Sequence, residues 1–132
     1  DGTNTAEEIP MDSLVTCSID MRFTPQDVDD AVQLLLSVSG SIQAKRGCHA
    51  CRVWIDAADE GLIHYSEEWE SREAFHQNVR SEEFRRVLIA VDMGCEEPRI
   101  VVGNLSGQSG MAYLLQLRET EIEPLGGIAK SV

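Results

Sequence analysis

Residues 14–23 read Leu14-Val15-Thr16-Cys17-Ser18-Ile19-Asp20-Met21-Arg22-Phe23. Val15, Cys17, Ile19, Met21 and Phe23 are apolar, and Thr16, Ser18, Asp20 and Arg22 between them are polar. An alternation with period two places the two sets on opposite faces of an extended chain, so this stretch predicts a half-buried β-strand. Thr24-Pro25 follows, with Asp27 after it. Thr as N-cap, Pro in the first turn and an acid near the positive end of the dipole predict a helix start. Val28, Ala31, Val32, Leu35, Leu36 and Ile42 then recur at helical spacing, and Lys45-Arg46-Gly47 supplies a basic last turn and a glycine stop.

Working outward, residues 51–56 predict a second strand and residues 62–69 a third, joined by the turn Asp59-Glu60-Gly61. Ser71 with Glu73-Ala74 opens a helix, and Ser81-Glu82-Glu83 opens another whose apolar face is Phe84, Val87, Leu88 and Val91. Gly94 and Pro98 end it, and residues 99–105 predict a fourth strand. The order strand, helix, strand, strand, helix, strand is the split βαβ arrangement, an α+β ferredoxin-like fold with a four-stranded antiparallel sheet. Helices on one face of such a sheet leave the other bare, and a second copy of the chain is the expected cover.

Three segments are expected: a flexible polar tail at residues 1–12, the domain at 13–106, and an extension at 107–132 with a short helix from Met111 to Arg118. The chain opens on Asp1, so a processed or added leader ahead of Met11 is one reading of its start. No signal peptide is expected, since no basic start leads into an apolar run and cleavage site.

The 132 residues fit one domain, and 42% are apolar. The formal net charge of −12 disfavours a phosphate backbone or an anionic membrane surface, so neither nucleic acid nor membrane is an expected partner. A neutral organic molecule or a protein fits better. Cys17, Cys48, Cys51 and Cys95 are too sparse for a disulfide scaffold, so free thiols in a reducing cytoplasm are expected. Cys48-His49-Ala50-Cys51 offers only half of a zinc site, and residues three apart on a regular strand face opposite ways, so no metal is expected. No phosphate loop or flavin or nicotinamide fingerprint is present, and no cofactor is expected.

Several motifs occur in order. Gly47-Cys48 enters a strand, Glu67-Glu68-Trp69 closes the next, Ser71-Arg72-Glu73-Ala74 starts a helix, and Ser81-Glu82-Glu83-Phe84 starts another. Across roughly residues 14–105 the chain resembles the antibiotic-biosynthesis monooxygenase family. The resemblance implies a dimeric α+β barrel made by two sheets packed face to face. It also implies a cofactor-independent oxygenase acting on a quinol or a phenolic, polyketide-type aromatic, although relatives include haem-degrading proteins and domains without a known reaction. Many members carry two histidines where this chain has Asn78 and Glu83. His76 lies two residues from Asn78, a rotation of about 200° on a helix, so it does not take that place.

Period two puts Ile63, Tyr65, Glu67 and Trp69 on one face of the third strand, which the resemblance directs towards the helices and a substrate cleft. On that reading Glu67 or His76 is the base, Asn78 orients the substrate with Tyr65, Trp69 is an aromatic wall, and Phe75 and Phe84 complete the lining. The plainer reading makes Trp69 core, Tyr65 half-buried, and Glu67 a cap or an arginine's partner. Arg52, Trp54, His64 and Glu68 fall on the opposite face, where Arg52 is expected to pair with Glu68 or Asp20. The competing function is a non-catalytic dimeric module that binds a small ligand or a partner protein.

Overall fold

The computed structural model describes residues 14–105 and 110–119. The expected tail at residues 1–12 and the chain beyond residue 119 lie outside the described residues. The strands are β1 (Leu14–Arg22), β2 (Cys48–Ile55), β3 (Leu62–Trp69) and β4 (Arg99–Leu105). The helices are α1 (Val28–Gln43), α2 (Arg72–Val79), α3 (Glu82–Asp92) and α4 (Met111–Glu119). The sheet order is β2-β3-β1-β4, and every pairing is antiparallel. This is the expected ferredoxin-like α+β arrangement.

The β1 alternation becomes burial. Val15, Cys17, Ile19 and Met21 are buried against the helices, with the residues between them half-exposed. Ile63, Tyr65 and Trp69 of β3 join them, and Ala31, Leu35, Val38 and Ile42 of α1 press onto the same core. Both serine caps form: the Ser71 hydroxyl accepts from the Ala74 amide at 3.1 Å, and that of Ser81 from the Phe84 amide at 3.2 Å.

Two local expectations are corrected. Thr24 is not the N-cap. Pro25, Gln26 and Asp27 form a turn closed by the Asp27 and Val28 amides on the Thr24 carbonyl, and α1 begins after Asp27. β2 starts earlier than expected, at Cys48, because a bulge lies between Cys48 and Ala50. The additional residue changes the parity of the strand. Cys48 therefore lies opposite Trp69, Cys51 opposite Glu67, and both are on the helix-facing side rather than on opposite faces.

Gly47 joins α1 to β2 with φ +88°, a conformation open to glycine and strained for other residues. A Cβ there would meet the Ala74 Cβ at 3.0 Å and the Glu70 Oε2 at 3.3 Å. The Gly47 carbonyl accepts from the Glu70 amide at 2.8 Å, which ties the end of α1 to the end of β3. Gly47→Ala is expected to cost about 1–3 kcal/mol in urea denaturation, combining left-handed strain with the contact on α2. A midpoint equal to that of the unaltered chain would contradict this packing.

The outer sheet face carries a charged ladder. His64 Nδ1 lies 2.8 Å from Asp20 Oδ1 and its Nε2 lies 3.0 Å from Asp56 Oδ1. Asp20 is thus engaged by His64, not by Arg52 as expected, and Arg52 makes no ion pair among the described residues. The two carboxylates, Asp20 first, raise the His64 pKa above its ordinary value. A raised folded pKa gives stability that is fully present below about 6.5 and lost as pH rises through the folded value. His64→Gln is therefore expected to cost under about 1 kcal/mol at pH 6, given the partial exposure, and progressively less as pH rises. A pH-independent difference between the two chains in thermal melts would contradict the assignment.

The unpaired edge strand β4 exposes Ile100, Val101, Val102 and Leu105 at 47–52%. Register puts Ile100 and Val102 on the helix side and Val101 and Leu105 on the outer side, so among the described residues both faces of this strand carry exposed apolar side chains. Trp54, opposite His64, is also half-exposed on the outer face. Among the described residues no helix is long and apolar enough to cross a membrane.

Candidate functional site

The helix-facing side of β3 carries Tyr65, Glu67 and Trp69 in alternate positions, all buried. Glu67 lies between its two strand neighbours and receives a hydrogen bond from each. The Tyr65 hydroxyl donates to Oε2 at 2.5 Å, and the Trp69 indole N–H donates to Oε1 at 2.8 Å. From α2, the Asn78 Nδ2 donates to both carboxylate oxygens at 3.2 Å. The Asn78 Oδ1 in turn accepts from Lys45 Nζ at 2.8 Å, and Lys45 also pairs with Glu83 at 3.0 Å. An amide with a carboxylate on one end and an ammonium on the other has its orientation fixed by its partners.

Glu67 is fully buried, with the neutral donors Tyr65, Trp69 and Asn78 as its direct partners. Burial pushes its pKa above the ordinary carboxylate value, opposed by the bonds from Tyr65, Trp69 and Asn78. The flanking residues across the sheet are Cys17 on β1 and Cys51 on β2. Burial, reinforced by the Glu67 charge, pushes both thiols up to about 12. The Cys51 thiol donates to the Tyr65 hydroxyl at 3.2 Å, and burial together with the nearby charge drives the Tyr65 phenol pKa up as well. Thiols in this state are poor nucleophiles at neutral pH. Lys45 holds the Glu83 carboxyl below its usual range.

An open cleft of about 360 Å³ lies at one end of this network, lined by Lys45, Arg46, Trp69, Ala74, Gln77 and Asn78. A second cleft, of about 280 Å³, lies on the other side of α2 and includes Val15, Arg72, Phe75, His76, Val102 and Asn104.

The sequence-derived candidates therefore separate into three groups. Tyr65, Glu67, Trp69 and Asn78 meet in one hydrogen-bonded cluster, and Trp69 and Asn78 also wall the first cleft. His76 is exposed and, with Phe75, lines the second cleft away from Glu67. Phe84 is buried in the core and lines neither cleft. The plainer expectations also change: Tyr65 is fully buried rather than half-buried, and among the described residues Glu67 has no arginine partner. Lys45 was legible only as a helix-end cation, because nothing local signals its approach to Asn78, 33 positions away. It bridges Asn78 and Glu83.

Among the described residues no group of three or more His, Cys, Asp or Glu side chains converges where a metal could bind. Cys17, Cys48, Cys51 and Cys95 are all free thiols.

A four-stranded split βαβ sheet with a polar cluster buried beneath its helices defines a small ferredoxin-like α+β domain. The family model for antibiotic biosynthesis monooxygenases matches residues 14–88, more than half of the chain, and the chain belongs to that family. Solved structures share the fold at low identity. One from Methanosarcina mazei Go1 has a TM-score of 0.63 at 18% identity, over 68% of this chain and 90% of its own. One described as an antibiotic biosynthesis monooxygenase has a TM-score of 0.63 at 18% identity, over 70% and 99%. One from Pseudomonas aeruginosa has a TM-score of 0.65 at 17% identity, over 75% and 100%. Among curated proteins none matches this sequence.

Proposed function

We propose that this protein is a cofactor-independent oxygenase acting, as a homodimer, on a quinol or related phenolic aromatic held in the cleft beside Trp69. The observation that carries the reading is the Lys45–Asn78–Glu67 chain, which runs from the cleft wall to a buried carboxylate of raised pKa. The indole forms an aromatic wall, and the Lys45 ammonium stabilises the phenolate that forms when the substrate hydroxyl ionises. Glu67 is the proton acceptor, oriented by the Asn78 amide that bonds both of its oxygens, and its burial raises its proton affinity. The electron-rich anion then reduces O₂. For a quinol the balance is one quinol plus one O₂ giving one hydroxyquinone plus one water.

The test is oxygen uptake with a menadiol-type quinol, with isotopically labelled O₂ and an anaerobic control. One labelled oxygen in the quinone product, at a rate well above the protein-free reaction, is expected. A protein-independent rate would overturn the reading. The homodimer is supported by the apolar residues that β4 and Trp54 leave exposed, which exceed what isolated surface side chains require. A sedimentation mass near 14.6 kDa at micromolar concentration would refute it.

A second reading, a non-catalytic dimeric module that binds a small ligand or a partner protein, is favoured by one observation. Among the described residues every buried side-chain polar atom already has a partner without a ligand. If Trp69→Phe and Asn78→Ala leave every oxidation unchanged while a ligand still raises the Tm, this reading stands in place of the first.

A further inference from the structure

The proposed site has a polarity that the reaction alone does not require. The chain holds 23 acidic and 11 basic residues, yet two adjacent basic residues, Lys45 and Arg46, line the Trp69 cleft and, among the described residues, no carboxylate does. The two cations are not equivalent. Lys45 is already satisfied by Glu83 at 3.0 Å and Asn78 at 2.8 Å. Arg46 has no ion pair or hydrogen-bonded side-chain partner among the described residues. A carboxylate close by in the chain fold, that of Glu70, sits against Gly47 and makes no bond to Arg46. A helix C-terminus accounts for a basic residue at this place in the sequence. It does not account for a guanidinium without a partner among the described residues lining a cleft whose lining also includes the buried Trp69 and Asn78.

Building on the oxygenase reading of this cleft, we propose that Arg46 selects substrates bearing an acidic group, so that the site takes hydroxyaryl carboxylates in preference to neutral phenols. The guanidinium presents a planar fork of N–H donors that matches a carboxylate in a two-bond geometry, which neither an ammonium nor an amide reproduces. The hydroxyl of the same ligand meets the Lys45–Asn78 pair and its ring meets Trp69. The cleft volume of about 360 Å³ lies at the small end of the range for organic-ligand sites, about 300–1,000 Å³, and suits one fused bicyclic ring with short substituents. The overall charge of −12 opposes the approach of any anion, so a preference for the anionic ligand has to arise locally.

The test uses 1-hydroxy-2-naphthoate and its neutral amide, 1-hydroxy-2-naphthamide, titrated calorimetrically into the full chain and into Arg46→Gln and Arg46→Lys. Arg46 is exposed, so the variants are expected to fold, and matched Tm values verify it. The unaltered chain is expected to prefer the carboxylate by about tenfold or more, as a two-bond charged contact provides. Arg46→Gln is expected to reduce that ratio to below about threefold, and Arg46→Lys to leave it in between. Equal affinity for the two compounds, a ratio that survives Arg46→Gln, or no binding of either at millimolar concentration would each overturn the proposal. Oxygen uptake measured on the same samples separates the two claims. An Arg46-dependent preference without oxidation removes the oxygenase reading and keeps the selectivity. Oxidation of a neutral quinol without a carboxylate preference does the reverse.

Discussion

Glu67→Leu is expected to lower the unfolding free energy by about 3–5 kcal/mol. The carboxylate accepts from the Tyr65 hydroxyl, the Trp69 indole and both ways from the Asn78 amide, and all four side chains are buried. An apolar replacement leaves those donors out of water without acceptors, at about 1–3 kcal/mol for each group that finds no substitute. Glu67→Gln keeps the shape and one acceptor oxygen, so a loss of about 1–2 kcal/mol at neutral pH is expected. The two variants also differ from the parent in pH dependence. Burial raises the folded pKa of Glu67 above its unfolded value, so the folded state binds the proton more tightly. The stability that this proton contributes is present below the unfolded pKa and declines as pH rises from there to the folded pKa. Glu67→Gln has no such proton. The gap between parent and Glu67→Gln should therefore narrow as pH rises from about 4 through the raised value, when both are unfolded in urea. A gap that widens with pH would show that the carboxylate is stabilised as the anion, and would remove it as a base.

Asn78→Ala is expected to have the largest effect on activity, a drop in kcat/KM for quinol oxidation of about 100-fold. Its amide bonds Lys45 at the cleft on one side and Glu67 in the interior on the other. Without it the carboxylate loses the donor that bonds both oxygens, and the ammonium loses the acceptor that positions it. A stability loss of about 1–3 kcal/mol should accompany the change. Asn78→Asp separates the two roles. It restores an acceptor for Lys45 but places a second carboxyl beside Glu67, so proton affinity at the site should rise and the pH profile of kcat should move upward. An Asn78→Ala chain that folds and oxidises quinol at the parental rate would exclude the Lys45–Asn78–Glu67 chain from the chemistry.

His76 sharpens the comparison. An exposed imidazole lining the cleft on the other side of α2 is a poor partner for the Glu67 cluster, which follows from the helical rotation between positions 76 and 78. Of the two candidate bases, Glu67 on the strand belongs to the buried cluster and His76 does not.

Local rules carry most of the frame. The period-two alternations of β1 and β3, the serine caps of α2 and α3, and the order of elements follow from side-chain direction and backbone satisfaction within a few residues. They also place Tyr65, Glu67 and Trp69 on one face, because strand parity is a local property. Other features arise only when distant segments meet. The bulge between Cys48 and Ala50 turns both Cys48 and Cys51 inward, and no periodicity in a four-residue stretch reveals an added residue. Lys45 reads as a dipole partner at a helix end until α2 brings Asn78 and α3 brings Glu83 to its ammonium. Sequence by itself thus determined the order of elements, the faces of β1 and β3 and the two serine caps, since each depends on neighbours along the chain. Tertiary structure alone decided which cation meets the buried carboxylate's amide and which cleft each candidate lines, because those depend on approaches between residues tens of positions apart.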